Sequence, residues 1–266
     1  MNHLRRSLSP VTDAAWVQVD EEATRSLKLY LSGRRLVDVH GPLGWDVDSV
    51  RTGVVQLIAD DAVAASTLGV RQPVPMVEVR TPFTMSLANL DLADRGNLSV
   101  DTDPVIRAAR QAAWAEDSVI FQGVAGAAEG IIAYSPHEAI ALPATYAAYP
   151  IAVARAVEVL RGVGIDGPYA LALGDAEYTG AAETTEHGGY PVMAHLRSVL
   201  GGDVVWAPAL TGGVVMSARG GDFDLSLGQD FSIGYAGTDG DDVRLYLEES
   251  IAFQVFTPEA SVRLTA

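Results

Sequence analysis

The sequence predicts an α+β protein. Helical and strand patterns come in separate blocks and do not alternate regularly. The helices carry readable start signals, and everything from Phe223 onward reads as strand.

The elements follow in order. Asp13 to Ser32 reads as a helix, because Trp16, Val19, Ala23, Leu27, Tyr30 and Leu31 recur at three and four residues. Thr12 suits its N-cap and Gly33 its C′ stop. GRRLVDVHGPLGWDVDSV is strand-like but broken by Gly41, Pro42 and Gly44. GVVQLIAD and PMVEVRTPF then read as two strands across a wide connection, a long hairpin arm. It has few large apolar residues of its own, and isolated hairpins are marginal in water, so it is expected to lie on another subunit. Asp103 and Pro104 open a second helix, in the favoured N-cap and N1 order, that stops at Gly123. Pro150 to Arg161 and PVMAHLRSVL from Pro191 are two more, with strands PYALALG, DVVWAP and GVVMSAR between and after them. FDLSLGQDFSIGY, VRLYLEESIAFQVF and ASVRLTA complete the chain as strands, with a hairpin turn at TDGDDV.

Composition narrows the function. The 266 residues contain no cysteine, which excludes disulfides, thiolate metal sites and a cysteine nucleophile. A formal charge of −16 opposes binding to a duplex or an anionic membrane, so neither nucleic acid nor membrane is the expected partner. No apolar run reaches the roughly 18 residues of a membrane span. Hydrophobic content of 48% is high and is consistent with a large area buried between subunits. The basic start, MNHLRRSLSP, lacks the apolar run of a signal peptide, leaving a flexible arm or a segment docked on a neighbour.

The motifs yield no catalytic set. GVGIDG, Gly162 to Gly167, matches a dinucleotide fingerprint, but a helix precedes it and a strand follows, the reverse of what that site needs. No serine sits in a nucleophile elbow. Glu116 and Asp117 are adjacent, but neighbouring helix positions point about 100° apart, so pairing with arginines or solvent is the plainer reading. Glu183, Glu186 and His187 in ETTEHGGYP have metal-binding side chains but read better as an exposed loop tip. No cofactor is expected, and a chain so well patterned without chemistry is expected to be structural.

RGGDFDLSLGQDFSIGY sharpens this. Phe223, Leu225 and Leu227 alternate with Asp224 and Ser226; Gly228 marks a bulge or turn; Phe231, Ile233 and Tyr235 alternate with Ser232 and Gly234. One face is apolar, and the other is small and polar, suited to close approach by another chain.

This stretch, together with LRRSLSPVTDAAW, GRRLVDVHGPLGWD, LDLADRG, AEDSVIFQG, DGPYALAL and VRLYLEESIAFQVFTPEA, resembles the encapsulins, the linocin-type bacterial shell proteins. The resemblance spans nearly the whole chain. It implies the Hong Kong 97-like capsid fold, with a peripheral domain (1–49, 76–134 and 223–266), an extended loop (50–75) and an axial domain (135–222). It implies a cytoplasmic icosahedral shell of the smallest class, about 60 copies of one chain closed by symmetry. The shell would enclose a cargo enzyme, a dye-decolourising peroxidase or a ferritin-like protein, held by a C-terminal targeting peptide. By the same resemblance the peptide docks near Leu27, Tyr30, Leu31, Arg34, Asp38 and Ile233. Glu183, Glu186, His187 and Tyr190 would then ring a pore at the five-fold axis. Some encapsulins stack a flavin on a tryptophan; the matching position here is Ala88, so none is expected. Two other readings compete with the shell: a bacteriocin- or protease-like enzyme, and a phage major capsid protein.

Overall fold

The structure is a computed structural model that describes residues 3–58, 67–97, 100–186 and 188–266. The N-terminal helix α1 (Asp13–Tyr30) is capped by Thr12, whose side chain accepts from the Ala15 amide. A short strand β1 (Asp38–His40) leads to the hairpin of β2 (Ser49–Ile58) and β3 (Leu68–Pro75). Strand β4 (Val77–Ser86), helix α2 (Leu87–Asp94) and the long helix α3 (Asp103–Gln122) follow, with Pro104 in the first turn of α3. Two-residue strands β5 (Gly123–Val124) and β6 (Ala128–Glu129), the single turn α4 (Ile131–Tyr134) and β7 (Ile140–Ala141) lead to α5 (Tyr149–Gly162) and β8 (Tyr169–Leu173). Helices α6 (Asp175–Glu183) and α7 (Val192–Leu200) precede β9 (Val204–Trp206), β10 (Gly213–Ser217), β11 (Phe223–Leu227), β12 (Ser232–Asp239), β13 (Asp242–Val255) and β14 (Ser261–Thr265).

Two five-stranded sheets organise these elements. In the first, β13 is the centre: β4 runs along one edge, while β11 and β12 lie in series along the other, with β1 outside β11. The second has the order β7-β14-β10-β8-β9. Helices α1 and α3 cover one face of the first sheet, burying Val19, Ala23 and Leu27 with Phe83, Met85, Ile233, Leu245 and Leu247. Ala108, Ala109, Ala112 and Ala113 make a flat strip on α3 that lets α1 approach closely. The C-terminal half of α3 joins the second core, where α5 and α7 pack on β8, β10 and β14.

RGGDFDLSLGQDFSIGY is one strand with an insertion. Leu227 faces Ile251 and Ser232 faces Glu248, so four residues (228–231) oppose two (249 and 250). Each of its three aspartates has a side-chain partner: Asp222 pairs with Arg219, Asp224 with the His40 imidazole and Asp230 with Arg34. Gly234 is small for the chain's own packing: an added Cβ would meet the Tyr246 ring on the next strand at 2.2 Å.

Several expectations change. The hairpin partner of β2 is LGVRQPVP, not PMVEVRTPF. The alternation of PMVEVRTPF instead marks a half-buried strand, with Val79, Thr81, Phe83 and Met85 inward on β13. Gly33 is not a left-handed C′ stop: α1 ends at Tyr30, and Gly33 opens a 3₁₀ turn. An added Cβ there would meet the Ile120 Cδ1 methyl at 2.5 Å and Asp117 Oδ1 at 3.1 Å, so a larger residue would have to displace the Ile120 side chain. The final strand, β14, pairs with β10 and β7, so it belongs to the second sheet with the 135–222 elements. Helix α6 gave no apolar periodicity to read. Its Gly180 sits where the Tyr146 ring leaves no room for a Cβ. The N-terminal arm from His3 lies on its own chain, where the Tyr235 amide donates to the Leu4 carbonyl; residues 1–2 are outside the described residues. The turn at TDGDDV and the helix end at GVGIDG follow the sequence reading, and the buried Ser217 at the end of β10 donates to the Asp166 carbonyl.

Candidate functional site

A cleft of about 380 Å³ opens between α1 and the start of β12. Asp20, Ala23, Thr24 and Leu27 line it from one face of α1, at the three- and four-residue spacing of a helix. Phe231, Ser232, Ile233 and Leu247 line it from the sheet, and Leu4 and Arg6 close one end. Arg6 is a clamp: its Nε donates to the Ile233 carbonyl at 2.7 Å and its two terminal nitrogens bind both Asp20 oxygens at 2.7 Å. The same guanidinium lies 4.2 Å over the Trp16 ring. The cleft is thus an apolar floor with a polar rim.

The residues expected at a docking site separate into four places. Leu27 and Ile233 line the cleft and are also core, at 8% and 2% exposure. Leu31 packs half-buried against the same core. Tyr30 packs half-buried against that core as well, with its ring 5.8 Å from Trp206 of the second sheet. Asp38 accepts the Gly221 amide at 2.5 Å and so holds the glycine turn before β11. Arg34 sits behind the cleft wall. Arg6, Asp20, Thr24, Phe231, Ser232 and Leu247 were missed. The helical spacing from Leu27 back to Asp20 was a usable signal for two of them. The contribution of the arm was not, since it depends on a contact over 227 residues of sequence.

Arg34 is the hub of a buried acidic cluster. Its Nε donates to both Glu116 oxygens at 2.9 Å, and one terminal nitrogen donates to Glu116 at 2.5 Å and Glu249 at 3.0 Å. The other donates to Asp230 at 2.8 Å. Burial disfavours the guanidinium charge, but hydrogen bonding and charge from Glu116, with Glu249 and Asp230, hold its pKa above the ordinary value. Glu116 and Glu249 are fully buried. Burial first, then the charge and hydrogen bonding of Glu116, push Glu249 well above the usual carboxylate range against the pull of Arg34. Glu249 Oε1 has no donor within reach; protonated, it becomes a donor to Glu116. Asp117, one residue on, points elsewhere and accepts from the Ser32 and Gly33 amides and the Ser32 hydroxyl. Burial raises its pKa to about 7 against those hydrogen bonds. The adjacent acids therefore serve two sites, as their angular separation requires.

The acidic loop after α6 is a small hairpin closed by the Thr185–Pro191 bridge, with the Glu186 amide donating to the Tyr190 carbonyl. Glu186 is held 2.6 Å from His195 Nδ1, and Tyr190 stands edge-on to the same imidazole. Glu183 and Tyr190 are exposed; His187 lies outside the described residues.

Comparison with known proteins gives the family. Residues 1–252 match the family described as the encapsulating protein for peroxidase. The chain is 44% identical over 270 residues to the type 1 encapsulin shell protein of Rhodospirillum rubrum, covering 99% of this chain and 96% of that protein. It is also 44% identical over 270 residues to that of Mycobacterium tuberculosis, covering 100% of both. Two solved structures share the fold. The virus-like particle of Pyrococcus furiosus has a TM-score of 0.63 at 16% identity, covering 92% of this chain and 97% of that one. The capsid of Myoviridae phage XM1 has 0.57 at 14%, covering 86% and 89%. The fold is therefore the Hong Kong 97-like capsid fold. No helix among the described residues is long and apolar enough to cross a membrane. The chain belongs to the type 1 encapsulin shell proteins, structural subunits of a capsid-like particle and not enzymes.

Proposed function

We propose that the shell built by this chain encloses a cargo enzyme in the cytoplasm, captured when a short C-terminal peptide of the cargo docks in the cleft between α1 and β12. The cleft itself supports this: apolar side chains for a short peptide, and rim groups to orient it. In this reading the first sheet with α1 and α3 is the peripheral domain, the β2–β3 hairpin the extended loop, and the second sheet with α5 to α7 the axial domain. About 60 copies close the smallest icosahedral shell. A subunit charge of −16 suits protein cargo better than nucleic acid. A dye-decolourising peroxidase or a ferritin-like protein is the cargo class.

Ile233→Asp would bury a carboxylate in the core, so Thr24, exposed on the α1 wall, is the cleaner probe. Thr24→Trp fills the cleft. Co-expressed with a dye-decolourising peroxidase from the same genome, the variant shell is expected to assemble normally and carry at least about tenfold less enzyme, a loss of about 1.4 kcal/mol in affinity. Equal peroxidase activity co-purifying with variant and wild-type shells would remove the cleft from the reading.

The loop carrying Glu183, Glu186, His187 and Tyr190 would ring the five-fold pore. Glu186 is engaged by His195, so Glu183 supplies the free negative charge. A carboxylate ring favours entry of small cations. Glu183→Gln shells are expected to admit Fe²⁺ several-fold more slowly at low salt, read by oxidation of iron inside ferritin-loaded shells. An unchanged rate would assign entry to another route.

A further inference from the structure

We propose that Arg34 shapes the cleft from behind, tying its Asp230–Phe231 wall to the buried Glu116–Glu249 pair, and does not touch the cleft's occupant. The proposal rests on reading the cleft as a peptide site. Arg34 is not among the residues that line the cleft. Four of its five N–H groups point at Glu116, Glu249 and Asp230. Its guanidinium lies 5.4 Å from the centre of the Phe231 ring, and Phe231 is itself cleft wall. The wall begins in the insertion 228–231, where Gly228 and Gln229 still bond across to Ser250 but the ladder on β13 lapses at Asp230 and Phe231 and resumes at Ser232. A side-chain brace is what such a segment needs.

The brace is sensitive to pH. Three groups act on Glu249: Arg34 from the 3₁₀ turn, Glu116 from α3 and Asp230 from the insertion. The next charged residue on β13, Glu248, faces the opposite side of the sheet and pairs with Arg80 at 3.4 Å. With Glu249 protonated, Arg34 serves Glu116 and Asp230. Glu249 holds its proton more tightly in the folded chain than in the unfolded one, so the brace is intact below its folded value and weakens as pH rises through it. Once it ionises, two buried carboxylates compete for one guanidinium. Asp230 is about half exposed, so it is the partner most easily released to water.

The test is hydrogen exchange of segment 229–235 in empty assembled shells, corrected for intrinsic rates, beside binding of a labelled peptide copied from the C-terminal tail of the peroxidase. Asp230→Asn cuts the link without exposing a buried charge. It is expected to speed exchange of the segment about tenfold at neutral pH and weaken peptide binding. Wild-type exchange, followed as a pH series, is expected to rise as pH climbs through the titration of Glu249 in the folded chain, and Glu249→Gln to abolish that rise. Unchanged exchange in Asp230→Asn overturns the brace. So does an Arg34→Lys variant that loses peptide binding while the segment's exchange stays at the wild-type rate, since Arg34 would then meet the occupant directly. If the wild-type shell binds no peptide, the docking reading fails while the exchange arm still decides the brace.

Discussion

A chain carrying Val55→Asp and Leu57→Asp is expected to fold and fail to close into particles. The β2–β3 hairpin exposes Val54, Val55, Leu57, Ile58, Leu68 and Val70, with Leu57 at 68%. Its two strands form their own sheet, paired only with each other. A two-stranded ladder with apolar side chains in water is marginal alone, and in a particle-forming chain that surface is covered by a neighbour. Full burial of each such side chain contributes about 1.5–3 kcal/mol. Replacing two by aspartate reverses that at every copy of the contact and adds the cost of burying charge. Gel filtration and negative-stain microscopy read the result. Uniform closed particles from the double variant would mean that this face of the hairpin is not an intersubunit contact.

Arg34→Ala is expected to give the largest loss of stability within one chain. Removing the guanidinium leaves the fully buried Glu116 without a countercharge beside Glu249, which keeps its proton. Breaking a buried pair in this way costs about 3–5 kcal/mol. The half-exposed Asp230 adds little, because water takes over its solvation. Adding Glu249→Gln to Arg34→Ala removes one ionisable acid and should recover part of the loss. Urea unfolding followed by tryptophan fluorescence measures both. A loss below about 1 kcal/mol for Arg34→Ala would mean that the acids are neutral without the arginine, and the cluster would not need its cation.

The two variants probe parts of the molecule that differ in how readable they were. The first strand of the hairpin was legible in GVVQLIAD, but its pairing was not. LGVRQPVP is exposed over most of its length and carries Gly69, Pro73 and Pro75, so its strand signal is weak. The Arg34 cluster was visible only in fragments. Glu116, Asp230 and Glu249 lie 82, 196 and 215 residues from Arg34, and nothing local links them. The cleft stands between these cases, with Leu27 and Ile233 readable from their patterns and Arg6 reachable only through the folded arm.

The sequence by itself determined the class of fold, most helix starts and the strand character of the C-terminal region. These follow from caps and from side-chain periodicity, which act over a few residues. Tertiary structure alone decided which strands share a sheet, why Gly33, Gly180 and Gly234 must be small, and where each acid finds its cation. Those outcomes depend on excluded volume and on charge burial between distant segments, quantities that exist only once the chain has closed on itself.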